Sequence, residues 1–176
     1  MKTLLTLLIG ILIFTSCTSK KKITTVVEEK PVTEKYKFEN VSPSDSLFAS
    51  IRKGACFGQC PVYTLNIYNS GTVILVGKNF IEKIGTYKNK LNYEEMLAFV
   101  ALAKEIEYLA LDDSYDNKNV TDLPETSTSI VINKTRKKVY NRFGAPKELR
   151  SFENLFDEIL KTEGWKKIED NRKGKF

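Results

Sequence analysis

The chain has 176 residues, 41% of them hydrophobic, which leaves room for one ordinary domain with a packed core and flanking segments. It contains no histidine, so histidine-based triads, HExxH zinc sites and imidazole general bases are excluded, and its three cysteines restrict thiol chemistry. The net charge of +6 belongs largely to the two ends; residues 46–165 are close to neutral, which predicts no concentrated basic face of the kind nucleic acids require.

Lys2 precedes an apolar run from Leu4 to Phe14, the shape of a secretory signal. The run is shorter than the roughly 18–20 residues of a spanning helix. It ends in Phe14-Thr15-Ser16-Cys17 and turns polar at once through Lys20, Lys21 and Lys22. Small residues before a cysteine at the end of such a run resemble the bacterial lipobox, with Phe14 where that box usually has leucine. The resemblance implies a signal peptide over residues 1–16 and a diacylglycerol thioether on Cys17. The expected address is the bacterial cell envelope, with the chain tethered to a membrane through this lipid. The lysines after Cys17 supply no acidic export signal, which favours the periplasmic side. An ordinary signal peptide or an uncleaved anchor are the alternatives.

Residues 17–45 are rich in Lys, Glu, Thr and Val, without periodicity, and read as a flexible tether. Leu47–Arg52 is the first predicted strand, with Phe48 inward and Ile51 a second inward candidate. Val62–Tyr68 alternates, placing Tyr63, Leu65 and Ile67 on one face. Asn69-Ser70-Gly71 turns the chain into Thr72–Val76, the clearest hairpin in the sequence. A fourth strand is expected over Phe80–Tyr87.

A helix follows, capped by Asn92 with Glu95 three residues later, and stapled by Leu91 and Met96. Met96, Phe99, Val100, Ala103 and Ile106 form its apolar stripe. The polar loop Asp112–Glu125 leads to strands at Ser127–Ile132 and Lys137–Phe143. The last helix starts at Pro146, buries Leu149, Phe152, Phe156, Ile159 and Leu160, and stops at Gly164. The order β-β-β-β-α-β-β-α predicts an α+β domain over residues 46–165, with a single antiparallel sheet and two helices packed on one face. Residues 166–176 read as a disordered basic tail.

Cys56 and Cys60 stand four apart with Gly58 between them and Pro61 after. In an oxidising compartment they are expected to form a disulfide. A staple of this size contributes about 2 kcal/mol. A redox-active dithiol is the sharper alternative, although the spacing is not Cys-x-x-Cys and no thioredoxin-like pattern surrounds it. Zinc is a third, with two thiolates an incomplete site.

The loop from Asp112 to Asn119 offers oxygen ligands, but a calcium loop needs glycine where Asn117 stands and glutamate where Leu123 stands. Paired carboxylates for acid–base work could come from Asp113, Asp122 or Glu125, and nothing places them around a cleft. No catalytic residue, metal or cofactor is therefore assigned. Asp122 with Arg52 or Arg142 is a candidate binding cluster. Tyr63, Tyr68, Tyr87, Tyr140 and Phe143 are read as core or cross-strand residues, and Arg136-Lys137-Lys138 as a solvated turn. The helix-free sheet face is the candidate binding surface.

The segment Gly54-Ala55-Cys56-Phe57-Gly58-Gln59-Cys60-Pro61-Val62-Tyr63, followed by Ser70-Gly71-Thr72-Val73, resembles the bacterial family called domain of unknown function 6438. Asp122-Leu123-Pro124 and the stretch Pro146 to Trp165 match its later features. The resemblance implies a single domain, often secreted or lipid-anchored, with no assigned activity. The reading that follows is an envelope lipoprotein with a non-catalytic binding or structural domain, whose partner is an envelope protein or a cell-wall component, with a thiol-redox protein as the alternative.

Overall fold

The computed structural model describes residues 46–168. Cys17, the leader, the tether and the tail beyond residue 168 lie outside the described residues.

The elements run β1 (Leu47–Lys53), β2 (Val62–Tyr68), β3 (Thr72–Asn79), β4 (Gly85–Lys90), α1 (Tyr93–Glu105), β5 (Ser114–Tyr115), β6 (Thr126–Ile132), β7 (Thr135–Asn141), α2 (Lys147–Lys161) and β8 (Lys166–Lys167). They form an α+β domain with one eight-stranded sheet in the order β5-β7-β6-β1-β2-β3-β4-β8. The expected all-antiparallel sheet needs one correction. β5, from the loop after α1, pairs parallel with β7, so the sheet is mixed.

Register explains the core. Val139, Thr128, Ile51, Leu65, Leu75 and Tyr87 are successive partners across the strands and share one face. Both helices bury their stripes on this face in one cluster. Phe99 of α1 stacks edge-on against Phe48, Phe152 and Phe156, with ring centroids 6.4, 5.8 and 4.8 Å away. Phe48 and Ile51 cannot both point inward on a regular strand, because their separation is odd. A bulge between Leu47 and Ala49 resolves the conflict and brings both in.

α1 starts as its sequence dictates. The Asn92 side chain accepts from the Glu95 amide at 2.9 Å, and the Glu95 carboxylate accepts from the Asn92 amide at 2.7 Å. Leu91 and Met96 are both buried. α2 crosses the strand ends: Asn141 of β7 bonds Glu153, Lys53 of β1 bonds Asp157, and Lys83 before β4 donates to the Leu160 carbonyl.

Several boundaries move: β3 runs on to Asn79, and β7 is Thr135–Asn141 in place of Lys137–Phe143. β4 begins at Gly85, not Phe80, because Phe80 adopts a φ of 50° and the intervening loop folds back on β3. Glycine at position 77 permits this: a Cβ there would stand 1.9 Å from the Lys83 carbonyl oxygen. At the other end, Lys166 and Lys167, read as the start of the tail, pair with Lys88 and Tyr87.

Candidate functional site

β1 ends in Arg52-Lys53-Gly54, and the loop to β2 is cinched by Cys56 and Cys60, which sit at disulfide distance with Cα atoms 5.8 Å apart. Phe57, inside this ring, is 92% exposed. The Gly54 amide donates to the Glu125 carbonyl at 2.8 Å, extending the pairing of β1 with β6. A Cβ on Gly54 would stand 2.3 Å from Glu125 Cγ, so glycine is required for the Glu125 side chain to lie across this point. From there Glu125 reaches Arg52 at 3.2 Å and accepts from the Tyr140 hydroxyl at 3.4 Å. Arg142 forks onto Asp116, at 2.6 and 3.1 Å.

Asp122 does not pair with the two arginines among the described residues. Arg52 and Arg142 flank Tyr140, but their partners are Glu125 and Asp116. Asp122 is exposed, takes a φ of 67° and accepts only from the neighbouring Thr121 hydroxyl, at 3.0 Å. The left-handed conformation turns the chain at Asp122 before Pro124, so Glu125, next to the first residue of β6, and not Asp122, meets Arg52. Lost solvation, together with the charge of Glu125 and against that of Arg142, raises the Tyr140 hydroxyl above its usual value. The Asp116 hydrogen bond likewise raises Arg142. These matched pairs latch the loop before β6 to the sheet.

In the loop read as a source of oxygen ligands, Asp113 pairs with Lys137 at 2.6 Å and Asp116 with Arg142. Among the described residues no group of three or more Asp, Glu or Cys is arranged to hold a metal. A shallow hollow of about 380 Å³ lies between the end of α1 and the β6–β7 turn, lined by Ala103, Glu107, Leu109, Ala110, Ile132 and Asn133. Its polar lining is Lys104, Glu107 and Asn133.

Sequence reading missed a polar seam beneath α2. Asp157 accepts from Lys53 at 2.7 Å and from the Tyr63 hydroxyl at 2.6 Å. Glu153, 9% exposed, accepts from Asn141 at 2.9 Å. Tyr108 and Thr128 share a hydrogen bond of 2.7 Å. Burial raises the Tyr63 hydroxyl far above its usual value, and Asp157 adds to it; burial also raises Tyr108 and the Glu153 carboxyl. A signal was present, since Glu153 and Asp157 fall on the apolar stripe of α2 at positions i and i+4. The groups of the seam are mutually satisfied, so it anchors α2.

The face away from the helices has a different character. One cross-strand row reads Lys138, Ser129, Ser50, Asn66, Ile74, Lys88 and Lys166. The next reads Tyr140, Ser127, Arg52, Thr64, Val76 and Thr86. Arg136 and Lys90 extend this face at its far end, opposite Val131 and Thr72. The eight strands together contain ten lysines and arginines and no aspartate or glutamate. The two helices carry seven carboxylates against four cations. Near-neutrality of the domain therefore conceals a segregation of charge between strands and helices.

No curated protein matches the chain. The family described as domain of unknown function 6438 matches residues 48–160, the span that holds the cysteine loop, the Gly54–Glu125 approach and both faces of the sheet. The chain belongs to the domain of unknown function 6438 family.

Proposed function

We propose that this protein is an envelope lipoprotein whose folded domain is a non-catalytic binding module, with the open sheet face as its binding surface. The observation that carries the reading is the basic, helix-free face. Its outward cations Arg52, Lys88, Lys90, Arg136 and Lys138 are all exposed, and no carboxylate lies in any strand. Among the described residues, Glu125, Asp157 and Asp116 are each matched by a cation.

The address rests on the leader and on Cys17. Metabolic labelling with palmitate is expected to mark the protein in a bacterial host, and Cys17→Ala is expected to lose the label and leave the membrane fraction. Retention of both by the variant would sink the lipoprotein reading. For the surface, a photo-crosslinking residue at Asn66 is expected to capture an envelope component, and K88E/K138E to abolish the capture. The thiol-redox alternative draws on the exposed position of the ring around Phe57. A Cys56–Cys60 potential near about −120 mV would favour it, whereas one below about −300 mV marks a structural bridge.

A further inference from the structure

We infer that the ligand of the open sheet face is an anionic polysaccharide, lying as an extended chain across the strands. The inference rests on the binding-module reading and names its ligand class.

Three observations select this chemistry. First, charge: Lys88, Lys138 and Lys166 make no ion pair among the described residues, and they stand in one cross-strand row. Unmatched cations in a row attract a ligand with repeated negative charges. Second, what lies between them. The middle of the face presents Ser50, Thr64, Asn66 and Ser127, with the buried Ser129 hydroxyl 2.8 Å from that of Ser50. Hydroxyl and amide groups hydrogen-bond to sugar hydroxyls. A single-stranded nucleic acid platform would instead carry aromatic rings along the middle of its central strands, and here the outward tyrosines are Tyr68, at the very end of β2, and Tyr140, on β7 toward the sheet edge.

Third, shape. The cations of β7 and β4 are five strand intervals apart, roughly 24 Å at the usual strand spacing. Each interval turns the sheet by about 20–25°, so the two columns face directions differing by roughly 100°. A planar bilayer surface cannot meet both columns together, whereas a flexible polymer can follow the twist from one to the other.

The test uses the full-length chain in neutral detergent, with alginate as the polyuronate, dextran as its uncharged counterpart, a single-stranded oligodeoxynucleotide and phosphatidylglycerol vesicles. Alginate is expected to bind, with affinity falling about tenfold or more between about 50 and 200 mM salt, and dextran to show no binding. K88E/K138E is expected to weaken alginate binding by about tenfold or more, with its thermal melt unchanged because both side chains are exposed. K88Q/K138Q, which removes charge without reversing it, should give an intermediate loss. Absence of alginate binding, or tighter binding of the oligonucleotide or the vesicles, overturns the polysaccharide inference while leaving the surface in place if K88E/K138E still abolishes capture at Asn66. Unchanged capture by that variant overturns the binding-surface reading itself.

Discussion

Glu153 is a carboxylate placed where its charge is disfavoured. Burial raises its pKa above the ordinary 4.5, against the hydrogen bond from Asn141 and the charges of Lys53 and Arg150. The folded state then holds this proton more tightly than the unfolded chain does. Its stabilising contribution is fully present below about pH 4.5 and is lost as pH rises through the shifted value. Glu153→Gln keeps an acceptor for Asn141 and cannot ionise. The variant is expected to melt close to wild type near pH 4 and above it near pH 7, in thermal denaturation followed against pH. A gap that closes toward neutral pH would contradict this. Gly54→Ala forces a methyl into Glu125 and is expected to destabilise by about 1–3 kcal/mol in denaturant titration. The double variant with Glu125→Ala should recover part of that loss, giving a non-additive cycle. The Cys56–Cys60 pair and Arg52 could be picked out in the sequence because their residue types advertise a role. Glu125 could not be chosen over Asp122, because both are acids in a polar stretch, and only the backbone turn at Asp122 decides which one meets the arginines.

Among the elements, α1, β2 and the β2–β3 hairpin could be read directly, because capping chemistry and strict alternation are local signals. β5 could not, since two residues of a polar loop acquire strand geometry only by pairing with β7. The misplaced start of β4 has the same origin: Phe80 to Ile84 has strand-like composition, but the loop is held by a backbone approach at Gly77. The helices meet the sheet through aromatic rings, so Phe99→Ala, at the centre of that cluster, is expected to cost about 3–5 kcal/mol. Guanidinium denaturation monitored by circular dichroism measures it. Reduction of Cys56–Cys60 acts on a small ring at the surface and should lower stability by about 2 kcal/mol without unfolding the domain. Collapse of the secondary structure on reduction would show that the bridge holds more than its own loop.

At the scale of the molecule, counting charge by segment hid what counting by element reveals: the cations went to strands and the acids to helices and loops. That segregation is written in the sequence, but it is visible only once the strands are correctly bounded. The sheet order carries a kinetic consequence as well. β1 is a central strand whose second neighbour, β6, comes late in the chain, so that Ser50 waits for Ser129, 79 residues away. A chain emerging amino-terminus first can close the meander from β1 to β4 by local hairpins, yet it leaves one side of β1 without a partner. That side belongs to Leu-Phe-Ala-Ser-Ile, a run with neither charge nor proline to deter pairing with another molecule. Long-range closure of this kind is slow. The interval before β6 arrives is when self-association threatens.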